Sequence, residues 1–233
     1  MEIKGFLETS LIDWDGHIAS VIFLPGCNFR CPYCYNHILA RHPDRLETVA
    51  WERIESYLKA KRDWIDGVVV TGGEATIHQD LPELLNRIHG LGLQAKLDTN
   101  GYQPQVLERL FSEKLVDYVA MDYKAALDAR YYAASGTELE LDRIGQSLRL
   151  VMDSGIPYEF RTTVVPGFHL PADIADMGPA IRGAGKWALQ QFVPREAEGR
   201  DLRQARPLGA EVIQEMRAEG ARWAGQCLVR GRA

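Results

Sequence analysis

Short apolar runs alternate with stretches in which apolar residues return every three or four positions, and the alternation continues along most of the chain. The runs at 18–24, 67–71, 93–97, 116–121, 158–165 and 187–192 are rich in Val, Ile and aromatic residues. Gly, Pro or Asp bounds most of them, as expected for buried parallel strands. Between them, Leu81, Leu84, Leu85, Ile88 and Leu91 form a helical stripe, with Asp80 and Glu83 as a capping pair and Gly90 and Gly92 as a stop. Val106, Leu107, Leu110 and Phe111 form a second stripe. Leu141, Ile144, Leu148, Val151 and Met152 form a third, closed by Gly155, and segments 49–61 and 209–223 complete the set. Such regular alternation predicts βαβ units around a parallel sheet. About six units are legible, fewer than a closed barrel requires, so an open partial barrel and a doubly wound sheet both fit.

No internal repeat, low-complexity tract or linker interrupts the pattern. The expectation is one domain over 1–233, with a core at about 18–192 and a C-terminal extension, 193–233, suited to partner contacts. The 233 residues are 46% hydrophobic and 25% charged, enough to bury a core. No apolar run approaches the roughly 20 residues of a membrane span. Glu2, Lys4 and Glu8 in place of an apolar leader argue against secretion. The net charge of −5 gives no electrostatic reason to expect nucleic acid as a partner. A cytoplasmic protein is the expectation. The Arg-containing stretch 195–206 also carries Glu196, Glu198 and Asp201, and reads as a solvated loop.

In parallel α/β folds the chemistry collects at the carboxyl ends of strands, and the unusual residues of this chain follow its apolar runs. Cys27-x3-Cys31-x2-Cys34 follows the first, Thr71-Gly72-Gly73-Glu74 the second and Asp98-Thr99-Asn100-Gly101 the third. Asp122-Tyr123-Lys124 follows the fourth and Pro166-Gly167-Phe168-His169 the fifth. Three of the four cysteines fall within eight residues, too few for a disulfide framework and too crowded to pair among themselves. Thiolates are soft ligands for zinc or iron–sulfur clusters. Zinc needs a fourth ligand, for which His17, His37 and His42 are the local candidates, none at zinc-finger spacing. A fully ligated cluster also needs a fourth thiolate, and Cys227 is distant, in an apolar stretch that reads as buried packing. The arrangement left is a cluster with one open iron; a zinc knot is the rival.

The triad, with aromatic Tyr33 before its last cysteine, resembles the signature of the radical S-adenosylmethionine (radical SAM) superfamily, and Thr71–Glu74 resembles that family's Gly-Gly-Glu motif. Residues 10–36 are similar to activating proteins of anaerobic ribonucleoside-triphosphate reductase, glycyl-radical-enzyme activases related to the pyruvate formate-lyase activating enzyme. Asp98-Thr99-Asn100-Gly101, Asp122-Tyr123-Lys124 and Val164-Val165-Pro166-Gly167 also look like that group's motifs. Ala75 replaces a Pro common after Gly-Gly-Glu, Asp15-Gly16-His17 lacks a common Pro-Gly, and no ferredoxin-like insert separates Cys34 from Glu74.

The resemblance implies an open partial (β/α)6 TIM-like barrel, a parallel sheet with outer helices. It implies a 4Fe-4S cluster on Cys27, Cys31 and Cys34, and S-adenosyl-L-methionine (SAM) chelating the open iron. Glu74 on the Gly72-Gly73 turn would meet the SAM ammonium with help from Asp98, Lys124 its carboxylate, and Tyr33 the adenine. Reductive cleavage to a 5′-deoxyadenosyl radical needs no side chain as acid, base or nucleophile. The implied partners are a glycyl radical enzyme, such as anaerobic ribonucleotide reductase, and a flavodoxin- or ferredoxin-type electron donor. The alternatives are a radical SAM enzyme acting on a small molecule, peptide or RNA nucleotide, and a non-catalytic zinc or iron–sulfur module. Singly, Asp98 and Asn100 read as turn residues and Asp122 with Lys124 as a structural ion pair. His78, His169 and Tyr35 can face the cavity, although loop histidines are usually solvated, and Tyr131-Tyr132 reads as packing or surface.

Overall fold

The computed structural model of the chain describes residues 1–231. Its strands are β1 (Gly5–Ser10), β2 (Ala19–Leu24), β3 (Gly67–Gly72), β4 (Gln94–Thr99), β5 (Tyr118–Asp122), β6 (Tyr158–Val164), β7 (Ala184–Gln191) and β8 (Ala224–Arg230). The helices are α1 (His37–Arg41), α2 (Trp51–Lys61), α3 (Leu81–Gly90), α4 (Pro104–Ser112), α5 (Ala129–Ser135), α6 (Leu141–Asp153), α7 (Pro171–Met177), α8 (Arg200–Arg203) and α9 (Ala210–Gly220). The sheet follows chain order from β1 to β8, so it is an open α/β sheet ending on those two strands. β1 runs antiparallel to β2, whereas the β2–β3, β3–β4, β6–β7 and β7–β8 ladders are parallel. The six expected strands are β2 to β7. The expected extension carries a further strand, because β8 pairs with β7 from Ala184↔Ala224 to Gln190↔Arg230. Among the described residues no helix is long and apolar enough to cross a membrane.

The chain divides into two compact units, one of residues 1–28, 36–99 and 105–120 and the other of 29–35, 100–104 and 121 onward. In the first, Trp14 packs with Ala19, Val21 and Val69. Gly67 opens β3 beneath the indole, where a Cβ would lie 2.6 Å from the Trp14 ring and 2.7 Å from the Gln94 carbonyl oxygen. The α3 stripe is buried as its spacing requires, at Leu81, Leu84, Leu85 and Ile88, each contributing about 2 kcal/mol of transfer free energy. The expected capping pair does not form. The Asp80 side chain makes no cap bond and instead meets the Met1 ammonium at 2.9 Å, while Glu83 pairs with Arg87 along the helix.

In the second unit β6 buries Phe160, Thr162 and Val164. The indole N–H of Trp187 donates to Thr162 Oγ1 (2.9 Å), whose hydroxyl donates to the Tyr123 carbonyl (2.6 Å). Buried Glu159 takes a two-pronged pair from Arg230 at 2.6 and 2.7 Å, the geometry that best offsets removing a carboxylate from water. Cys227 on β8 is buried and faces α9: a Cβ on Gly220 would fall 2.6 Å from its sulfur. Burial pushes its thiol up to about 11. It is the small packed hydrophobe its neighbours predict.

Candidate active site

The cysteine loop starts in the first unit, which keeps Cys27, and continues into the second, which holds Cys31 and Cys34. Among the described residues no disulfide forms. No group of three or more His, Cys, Asp or Glu side chains is gathered there to hold a metal ion. In the first unit the base of the loop is bonded to the Gly-Gly-Glu turn. Glu74 N–H donates to Gly26 O at 2.9 Å, and Gly73 N–H donates to Leu24 O at 3.0 Å. Both glycines are required by that approach. A Cβ on Gly73 would lie 1.8 Å from Gly26 O and 3.2 Å from Cys27 Cβ; Gly72 has φ +138° and would press on Leu24. The turn is thus a cradle for the backbone that presents Cys27.

Glu74 is buried, and its Oε1 accepts from Thr76 N–H (3.0 Å), Thr76 Oγ1 (2.6 Å) and Thr99 Oγ1 (2.7 Å). Neither threonine stands out in the sequence. Thr99 sits inside the Asp98-Thr-Asn-Gly motif, and Thr76 follows Glu74 by two, the spacing of a local side-chain-to-backbone bond. Asp98 meets Lys96 at 3.2 Å, and the buried Lys96 ammonium also donates to the Asp13 carbonyl. His78 is not simply solvated: its Nε2 lies 2.8 Å from Pro25 O, just ahead of the cysteine loop.

In the second unit the loop is turned by Cys34 N–H donating to Cys31 O (3.1 Å) and is held from two sides. On one, Arg30 N–H donates to Ser135 O at 2.8 Å, and Gly136, at φ +64°, leaves no room for a Cβ, which would fall 2.1 Å from Arg30 O. On the other, Gly199 N–H donates to Pro32 O (2.8 Å) and Val193 N–H to the Tyr35 hydroxyl (2.7 Å), with Tyr35 stacked on Phe192. The stretch 195–206, expected to be only a solvated loop, therefore begins as a strap on the cysteine loop. The Tyr35 hydroxyl accepts from Val193, just ahead of that strap.

Tyr33 is buried edge-on against Phe168 with centroids 5.8 Å apart, and burial raises its phenol well above the usual value. Lys124 lies 3.2 Å from Asp122, whose other oxygen meets Arg161 at 2.9 Å. Burial alone pulls the Lys124 ammonium down, but Asp122, then Cys31 and Tyr33, outweigh it and hold it protonated. Burial likewise raises the Asp122 carboxyl, and Lys124 with Arg161 more than reverse this. The ion pair expected from the sequence is present, with Arg161 added. His169 is buried, contrary to a solvated loop histidine. Val165 N–H donates to its Nδ1 (3.1 Å), so Nε2 carries the proton and donates to the Lys124 carbonyl (2.8 Å). Burial pulls this imidazole below its ordinary value, keeping it neutral.

The family profile described as the radical SAM superfamily matches residues 21–176. A Methanocaldococcus jannaschii protein described as a glycyl-radical enzyme activating enzyme is 33% identical over 201 residues, 84% of this chain and 81% of that protein. The pyruvate formate-lyase-activating enzyme of Streptococcus mutans is 33% identical over 178 residues, 71% of this chain and 66% of its own length. Among solved structures, a domain of the pyruvate-formate lyase-activating enzyme from Bacteroides vulgatus superposes with TM-score 0.57 at 17% identity. That match spans 71% of this chain and 99% of the domain. Streptococcus suis SuiB bound to S-adenosylmethionine superposes with TM-score 0.61 at 16% identity, over 91% of this chain and 52% of that one. These two likenesses show the fold.

Proposed function

The chain belongs to the radical SAM superfamily, and from that premise we propose that it is an activating enzyme that installs a glycyl radical on a partner protein, anaerobic ribonucleotide reductase or a similar enzyme. The observation that carries the activase reading is the 33% identity to the Methanocaldococcus jannaschii protein across most of both chains. Enzymes of this family use a 4Fe-4S cluster and SAM. When bound, they supply a one-electron cleavage of the sulfonium to methionine and a 5′-deoxyadenosyl radical, which takes hydrogen from the target.

The residues fit both groups. Three thiols on one short loop are the soft donor set that would hold such a cluster. The Gly73 cradle fixes the backbone of Cys27, and Ser135 and Gly199 fix the turn that carries Cys31 and Cys34. In this reading Glu74, aimed by its threonines, takes the SAM ammonium with Asp98 beside it. Lys124, held protonated, takes the carboxylate, and Tyr33 lines the adenine. The reductant is a flavodoxin- or ferredoxin-type protein, and the compartment is the cytoplasm.

Anaerobic reconstitution with iron and sulfide tests this. The wild-type protein should gain the broad visible absorbance of a cluster and release 5′-deoxyadenosine on reduction. Cys31→Ala should lose both, and Cys227→Ala should keep both. A glycyl doublet in the EPR spectrum of a candidate reductase incubated with the loaded protein would establish the activase. Cluster loss in Cys227→Ala would break the ligand assignment.

A further inference from the structure

The second unit contains a buried hydrogen-bond donor that nothing among the described residues satisfies. Tyr131 is fully buried on α5, and its hydroxyl has no hydrogen-bond partner among the described residues. Buried polar groups are rarely left so, and an exception points to a group still to come. Its position says which. Tyr131 lies about one turn before Ser135, the last residue of α5. Ser135 O accepts the N–H of Arg30, the residue before Cys31, at 2.8 Å. α5 is therefore seated on the cysteine loop, one turn from the phenol. Tyr131, Cys31, Tyr33 and Lys124 stand close enough to act on one another's ionisation.

We propose that Tyr131 donates a hydrogen bond to the sulfur of Cys31 once that cysteine binds the cluster. This inference rests on the cluster reading above. A protonated thiol is a poor acceptor, whereas a metal-bound thiolate carries negative charge and accepts well. The competing acceptor is an anion brought to Lys124, the SAM carboxylate. The cysteine is favoured because the backbone bond ties α5 directly to the cysteine loop, while the Lys124 ammonium already faces Asp122 at 3.2 Å. A hydrogen bond to a cluster sulfur stabilises the reduced state and raises the potential.

The test compares reconstituted wild-type and Tyr131→Phe proteins, matched for iron and sulfide, by EPR-monitored redox titration without SAM. At a fixed potential the ratio of reduced to oxidised cluster should fall about tenfold in the variant, equivalent to about 59 mV for one electron. ENDOR of the reduced wild-type cluster should show a solvent-exchangeable proton that the variant lacks. The cluster-free variant should melt higher than cluster-free wild type, because it no longer buries an unpaired hydroxyl. A merely structural tyrosine would not move stability and potential in these opposite directions. Equal midpoints in the two loaded proteins overturn the inference, as does a change confined to SAM affinity, which would assign the phenol to the carboxylate. A wild-type chain that takes up no cluster overturns the cofactor reading, and this inference with it.

Discussion

Glu74 in one unit and Asp122 in the other are both acidic side chains at strand ends, and they are held in opposite ways. Glu74 Oε1 accepts from three neutral donors, two threonine hydroxyls and one backbone N–H. These three donors fix the direction of that oxygen. Asp122 is shared by two cations, Lys124 and Arg161. Its charge is offset within its own cluster, and the trio sums to +1 − 1 + 1 = +1. The first arrangement fixes a carboxylate oxygen with neutral donors, and the second keeps an ammonium protonated beside a shared carboxylate. Substitutions that alter only one arrangement show whether the two are as independent as their bonding makes them.

The largest effect is expected from Gly73→Ala. The added carbon would sit 1.8 Å from a backbone oxygen, so the cysteine loop or the turn must move. The expected cost is about 3 kcal/mol or more in chemical denaturation, with failure to reconstitute the cluster. If Gly73→Ala takes up iron and sulfide like wild type, the cradle is not what presents Cys27.

Asp122→Asn should act on the other arrangement, with a smaller effect. It leaves two neighbouring cations without their shared counter-charge. Asp122 is one-third exposed, so solvent screens the loss to about 1–2 kcal/mol at pH 7. The pH dependence follows from the sign of the shift. The folded Asp122 carboxyl lies below its unfolded value near 4, so its stabilisation is complete above that pH and fades as pH falls through the folded value. Wild type and variant should therefore converge in acid. SAM affinity should drop about tenfold, the equivalent of 1.4 kcal/mol, while the cluster spectrum stays normal. A wild type that instead becomes less stable than the variant as pH rises above 4 would mean that Asp122 is held protonated.

The two arrangements also differ in how much of each the sequence discloses. Gly72, Gly73 and Glu74 are consecutive, and their chemistry is legible because a local turn makes it. The same holds for the cysteine spacing and for β2, β3 and β5, whose apolar runs are nearly unbroken and mostly buried. β1 is an edge strand with Leu7, Glu8 and Thr9 exposed, so no apolar alternation marks it. α5 is a short run of Ala, Arg, Tyr and Ser with no stripe, and its importance appears only when Ser135 meets Arg30, 105 residues away in sequence (135 − 30). Arg161 reaches Asp122 across 39 residues and His169 reaches Lys124 across 45. No periodicity encodes such partners. A loop histidine looks solvated until the carbonyl it caps is brought to it by the fold.

The smallest predicted effect probes whether neutral donors are enough to aim Glu74. Thr99→Val keeps the side-chain shape and removes one of the three bonds to Oε1, leaving the two from Thr76. The loss should be about 1 kcal/mol in stability, typical of one hydrogen bond to a charged acceptor that keeps other partners. Because Glu74 stays buried and charged but less tightly aimed, SAM affinity should weaken about three- to fivefold, less than 1 kcal/mol by the same conversion. Cluster content should not change. Isothermal titration of SAM into the reconstituted variant measures this directly. If affinity instead falls as far as in Glu74→Ala, the Thr99 hydroxyl touches SAM itself and the neutral cage around Glu74 is part of the binding surface. If affinity does not move at all, Thr76 alone orients the carboxylate, and the contrast with Asp122 rests on two donors rather than three.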